Sequence, residues 1–196
     1  MLRGILLGVL AALVVEAVVA YVGITQGLLI PANADAKPSR LERWMASRSL
    51  KASISRGMPR EVNPISQTDA NYDAGIKLYG ENCAACHGTA DGHPSDIAVG
   101  LYQHAPQLGG HGVEDDPDGE TYWKIKHGIR LTGMPSYVKT LSDDQIWTVA
   151  LFLKHMKTLP PGPNRLWHAM KNPVALAPAS ALPARPGSSS ARQKRT

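Results

Sequence analysis

The sequence predicts an all-α protein: one small helical domain with an apolar helix ahead of it and a disordered tail behind. Three observations predict this. Apolar residues in the central part recur at helical spacing, and no stretch alternates as a half-buried strand would. The segment from Ile5 to Ile30 is apolar almost throughout. From Pro173 on the chain turns to Pro, Ala, Ser and Arg, with too little apolar surface to offset the entropy of ordering. At 196 residues there is room for one ordinary domain with appendages.

Residues 1–30 form the first unit. As a helix, the Ile5 to Ile30 run would be roughly 39 Å long, more than the ~30 Å hydrocarbon layer of a bilayer. An uncleaved membrane anchor is the expectation. The competitor is a secretory signal cleaved after Ala32-Asn33-Ala34, but its apolar core would be unusually long. Glu16 near mid-span is costly in lipid and calls for protonation or a partner helix.

Residues 31–66 are a basic connector with a loose helical period through Leu41, Trp44, Met45, Leu50 and Ile54. Arg40, Arg43, Arg48, Lys51 and Arg56 are interleaved, which reads as a solvated helix or as a segment resting on anionic headgroups. Residues 67–160 carry the domain. Thr68 precedes a helix from Asp69 to about Tyr79, and a second helix is expected from about Glu120 to His127. Ser142 and Gln145 have capping-box spacing, with Asp143 and Asp144 suited to the positive end of the helix that follows. Its apolar period runs from Ile146 to Leu159 and stops at Pro160-Pro161. Residues 161–196 are the Pro/Ala/Ser-rich basic tail, with a short amphipathic turn around Leu166, Trp167 and Met170.

The formal charge of +5 invites a nucleic-acid reading, which its distribution excludes. Residues 61–157 hold thirteen acidic and seven basic side chains, so the positive charge belongs to the flanks and the folded centre is acidic. A nucleic-acid binder places its positive charge on the reading surface.

The chemistry lies in Cys83-Ala84-Ala85-Cys86-His87. Two thiols two residues apart can reach both vinyl groups on one edge of a porphyrin and form thioethers, and the next histidine then falls beneath the iron. The pattern predicts one covalent haem c on Cys83 and Cys86, with His87 as an axial ligand. A redox dithiol would want alternating strands and helices, and a zinc site would want a second ligand pair; neither is in the sequence. The sixth position is expected to fall to Met134, set in Gly133-Met134-Pro135. Flanking Gly and Pro put this methionine in a loop rather than on a core face. Thioether opposite imidazole raises the potential and suits one-electron transfer. The rivals are His93, His104, His111 and His127, none in a comparable setting.

Gly75, Tyr79, the Cys-x-x-Cys-His-Gly run, Gly133-Met134-Pro135 and the capped last helix together resemble class I cytochromes c over about residues 67–160. The stretch from Tyr122 to Pro135 resembles the membrane-anchored bacterial monohaem type. The resemblance implies a cytochrome c-like fold whose first and last helices cross closely, with Gly75 packed on Trp147 or a neighbour. It implies that a proline carbonyl, with Pro94 the best match, accepts the His87 Nδ1–H bond. Trp123 sits either near a propionate or in ordinary packing. Haem is attached to such proteins outside the cytoplasmic membrane, so residues 31–196 are expected in the periplasm.

The resulting expectation is a tethered one-electron carrier between a redox donor and a redox acceptor. The alternative is a cytochrome subunit fixed in a larger membrane complex. A haem peroxidase or gas-binding protein would need an open sixth site, against which Met134 argues. The run Glu114, Asp115, Asp116, Asp118 and Glu120 is either a solvated loop or a patch that steers a basic partner.

Overall fold

The computed structural model describes residues 2–28, 32–110 and 112–171, and contains helices without strands among them. Helix α1, Leu2–Thr25, is 24 residues long, and is long and apolar enough to cross a membrane. The region predicted as disordered, from Pro173 on, lies outside the described residues.

Helix α2, Arg40–Gly57, runs through the whole basic connector helix in one piece. Its start is a capping box: Ser39 Oγ accepts from Glu42 N at 3.1 Å, and the Glu42 carboxylate accepts from Ser39 N at 3.3 Å. Ile54 is its buried anchor on the domain, and a Cβ on Gly57 would lie 2.6 Å from Trp123 Nε1. Trp123 thus packs between α2 and its own helix.

The domain is built on α3, Asp69–Asn82, crossing α7, Asp143–His155. Thr68 and Ser142 cap their N-termini through bonds to Asn71 N and Gln145 N. The crossing is close because Gly75 has no side chain: a Cβ there would lie 2.6 Å from Thr148 O and 2.8 Å from Phe152 Cβ. The neighbours of Gly75 are thus Thr148, next to Trp147, and Phe152, one turn further along α7. Helix α3 continues past Tyr79 as far as Asn82, with Cys83 N still donating to Tyr79 O at 2.8 Å. Helix α7 stops at His155, short of Leu159, and the chain leaves it through a turn in which Thr158 N donates to His155 O at 2.8 Å.

Helix α6, Asp118–His127, packs on α7, with Tyr122 stacked on Trp147 at 4.2 Å between ring centroids. Helices α4, Ala84–His87, and α5, Asp96–Gly100, are single short turns within the loop-rich stretch; α5 starts on a Ser95 cap. Where the sequence predicts a short amphipathic turn, helix α8, Pro161–Ala169, folds back onto α3. Its Trp167 stands edge-on to Tyr79 at 5.5 Å and to Phe152 at 5.2 Å, closing an aromatic triangle in the core.

Candidate functional site

Both cysteines lie where α3 hands over to α4. Cys83 ends one helix and starts the next, accepting from His87 N at 2.9 Å and from Cys86 N at 3.0 Å. A single helical turn therefore groups Cys83, Cys86 and His87 at spacings of three and four residues. Gly88, at φ 74°, ends this turn, and a Cβ there would collide with the Gln107 side chain. Tyr79 Oη donates to Gly88 O at 2.8 Å, and burial raises that phenol well above its usual range.

Hydrogen bonds hold His87 and its neighbours against the loop at 105–108. His87 Nδ1 lies 2.9 Å from Pro106 O, Leu108 N donates to His87 O at 3.1 Å, and Gln107 Nε2 donates to Cys86 O and Ala105 O at 3.0 Å each. A carbonyl can only accept, so Nδ1 carries the proton and Nε2 keeps its lone pair. Burial pushes the imidazole toward the neutral form, the bond to Pro106 partly opposing it. The acceptor is Pro106 and not Pro94: the chain folds back nineteen residues after His87, and Pro94 instead precedes the Ser95 cap of α5.

Met134 belongs to a loop held by its own backbone. Ile129 N donates to Met134 O at 3.2 Å, Thr132 Oγ1 donates to Ile129 O at 2.7 Å, and Met134 N donates to Thr132 Oγ1 at 3.1 Å. Gly128, at φ 65°, opens the loop where a Cβ would sit 2.5 Å from Pro135 O. Leu131 holds a left-handed φ of 62° and is 88% exposed, an arrangement that costs of order 1 kcal/mol. Two contacts tie this part of the chain to the elements flanking the cysteine turn. Tyr137 Oη donates to Asn82 O at 2.6 Å, one residue before Cys83, and Gly133 lies against the Leu101 side chain just past α5. Burial, and then the neighbouring Cys83 and Cys86, push the Tyr137 phenol up to about 12.

Residues 70–153 match the family model for cytochrome C oxidase, cbb3-type, subunit III. The matched span begins in α3, contains the Cys83 to His87 turn and the Met134 loop, and ends in α7. It is a cytochrome c domain. The apolar helix α1 ahead of it fits a membrane-anchored cytochrome c. No curated protein and no solved structure matches the chain.

The residues of this cytochrome c domain fit a haem. The donor set offers two thiols not joined in a disulfide, an imidazole with its Nδ1 committed elsewhere, and a thioether. A reactive dithiol would carry a depressed thiol pKa; burial, then the charge of Cys86, push Cys83 the other way, up to about 12. Among the rival histidines, His93, His104 and His127 are exposed, while His111 lies outside the described residues. No group of three His, Cys, Asp or Glu side chains able to hold a further ion occurs among the described residues.

Sequence reasoning did not identify Pro106, Gln107 or Tyr137 as parts of the cytochrome c site. A Gly/His/Pro loop with two prolines was the one available signal, and Gln107 had none. The acidic run is largely ion-paired. Asp116 and Glu120 pair with Lys124 at 2.9 and 2.6 Å, Asp118 with Lys154 at 3.8 Å, and Glu114 with Lys157 at 3.3 Å. Asp115 alone of the five makes no ion pair among the described residues.

Proposed function

We propose that this chain is a one-electron carrier holding one haem c, attached through Cys83 and Cys86, with His87 and Met134 as axial ligands. The bond from His87 Nδ1–H to Pro106 O carries this reading, because it turns Nε2 outward as a ligand beside the two thiols. When bound, the haem supplies a reversible ferric–ferrous couple. The protein's own work is to hold that couple. Pro106 orients the imidazole and enriches it in electron density, Gln107 secures Pro106, and the Met134 loop presents a thioether that favours the reduced state. With both positions filled, no substrate reaches iron, and exposed Leu131 next to the ligand loop offers apolar contact to a redox partner.

Helix α1 would tether the domain to the cytoplasmic membrane with the N-terminus inside and the haem domain in the periplasm. A second reading has a specific observation behind it: the matched family model is that of an oxidase subunit, which favours a cytochrome fixed in a larger respiratory assembly. Gentle solubilisation and identification of co-purifying subunits separates the two.

The ligands are tested by spectroscopy on the purified holoprotein. Cys83→Ala with Cys86→Ala should abolish haem that survives denaturation. Met134→Ala should keep the covalent haem, lose the methionine–iron band of the ferric spectrum and lower the potential. Survival of that band in the Met134 variant would move the sixth ligand elsewhere.

A further inference from the structure

Helix α2 keeps one face on the domain and leaves the other uncovered. Toward the domain it turns Ile54, Gly57 and Glu42, whose carboxylate accepts from Tyr102 Oη at 2.6 Å. Glu42 is the helix's sole acidic residue, so this bond draws the negative charge away from the other side. That other side carries Leu41, Trp44 and Met45, at 65%, 59% and 55% exposed, among Arg48 and Lys51. At 3.6 residues per turn these five fall within one half of the helix. Arg43, Ser47, Arg48 and Lys51 line a shallow cleft around the Trp44 indole.

We propose that this face of α2 lies on the membrane surface, with Trp44, Leu41 and Met45 at the acyl boundary and the surrounding cations on anionic phospholipid headgroups. An indole flanked by guanidinium and ammonium groups suits a layer that is apolar below and negatively charged above. The inference rests on the reading of α1 as a membrane span. Fourteen residues separate Thr25 from Arg40; fully extended they reach at most roughly 50 Å, which keeps α2 close to the bilayer. Because α2 is locked to Trp123 through Gly57 and to Tyr102 through Glu42, seating it would also fix which side of the haem domain faces outward.

The test uses the full-length holoprotein with a nitroxide on Met45→Cys, the native thiols being occupied by haem. It is reconstituted into vesicles of phosphatidylcholine alone or mixed equally with phosphatidylglycerol. The expected result is a label shielded from an aqueous nickel relaxant and accessible to oxygen in the mixed vesicles. Arg43→Gln, Arg48→Gln and Lys51→Gln together should return it to water, as should high salt. A control label on Lys139→Cys should stay aqueous throughout. A Met45→Cys label equally aqueous in both vesicles overturns the proposal. So does shielding found only in native membranes, which assigns the face to a partner protein, or shielding that rises with protein density in both lipids, which assigns it to a second copy. Flotation with phosphatidylcholine vesicles at high salt reports on α1 separately. If α1 does not insert, flotation with the phosphatidylglycerol vesicles that the Arg43→Gln, Arg48→Gln and Lys51→Gln variant loses still supports the α2 face, and flotation unchanged in that variant, or none with either vesicle, overturns it.

Discussion

Gln107 is the residue on which the geometry around His87 depends most and which has the least obvious reason to exist. Its amide Nε2 satisfies two backbone carbonyls, Cys86 O in the attachment turn and Ala105 O next to Pro106, and so fixes where the Pro106 carbonyl points. Its Oε1 is buried without a hydrogen-bond partner, so the side chain carries a desolvation cost that partly cancels those bonds. Gln107→Leu should therefore cost only about 1 kcal/mol in stability. The reduction potential should rise, because a slackened His87–Pro106 bond leaves the imidazole less electron-rich and the ferric state less supported. Spectroelectrochemical titration beside a denaturant curve checks both effects, and an unchanged potential would reduce Gln107 to a packing residue.

At the scale of elements, the α3–α7 crossing is set by a single missing side chain. At Gly75 the atoms that a methyl would meet are a backbone carbonyl and a Cβ, neither of which can swing away. Gly75→Ala should destabilise the domain by about 1–3 kcal/mol through overpacking. The helix-propensity gain of about 1 kcal/mol for replacing a mid-helix glycine is too small to compensate fully. Gly100 is the contrasting case, since a Cβ there meets nothing within 4 Å at the end of α5. Gly100→Ala should be neutral or stabilising by a few tenths of a kcal/mol, up to about 1. Chemical denaturation of the two variants side by side measures the difference, and equal midpoints would remove the close crossing from the account.

Across the whole molecule, the acidic run acts as a clasp. Its carboxylates meet Lys124 on α6, Lys154 on α7 and Lys157 just beyond it, and Asp118 also accepts from Asn63 N at 3.0 Å in the connector. Asn63 in turn donates to Trp147 O at 2.9 Å, so connector, α6 and α7 are tied together at one place. These pairs are only part-buried, and their combined contribution should be modest, about 1–2 kcal/mol. Asp116→Asn with Asp118→Asn should lower the thermal midpoint at low ionic strength, and the gap from the parent should narrow as salt is added. Asp115→Asn should leave the midpoint unchanged. A double variant as stable as the parent at low salt would return the run to a simple solvated loop.

The sequence by itself determined whatever closes within about four residues. The Cys83 to His87 turn, the Thr68 and Ser142 caps and the apolar length of α1 are local patterns, because one helical turn brings together residues three and four apart. The loop setting of Met134 was legible for the same reason, its glycine and proline neighbours acting on their own backbone. Tertiary structure alone decided between Pro94 and Pro106 as the His87 acceptor, nineteen residues along the chain. It alone tied Tyr137 to Asn82 across 55 residues, folded Trp167 into the core, and matched the acidic run with lysines from another helix. Such contacts depend on how loops close and helices cross, and periodicity carries no record of which distant partner a side chain or carbonyl will meet.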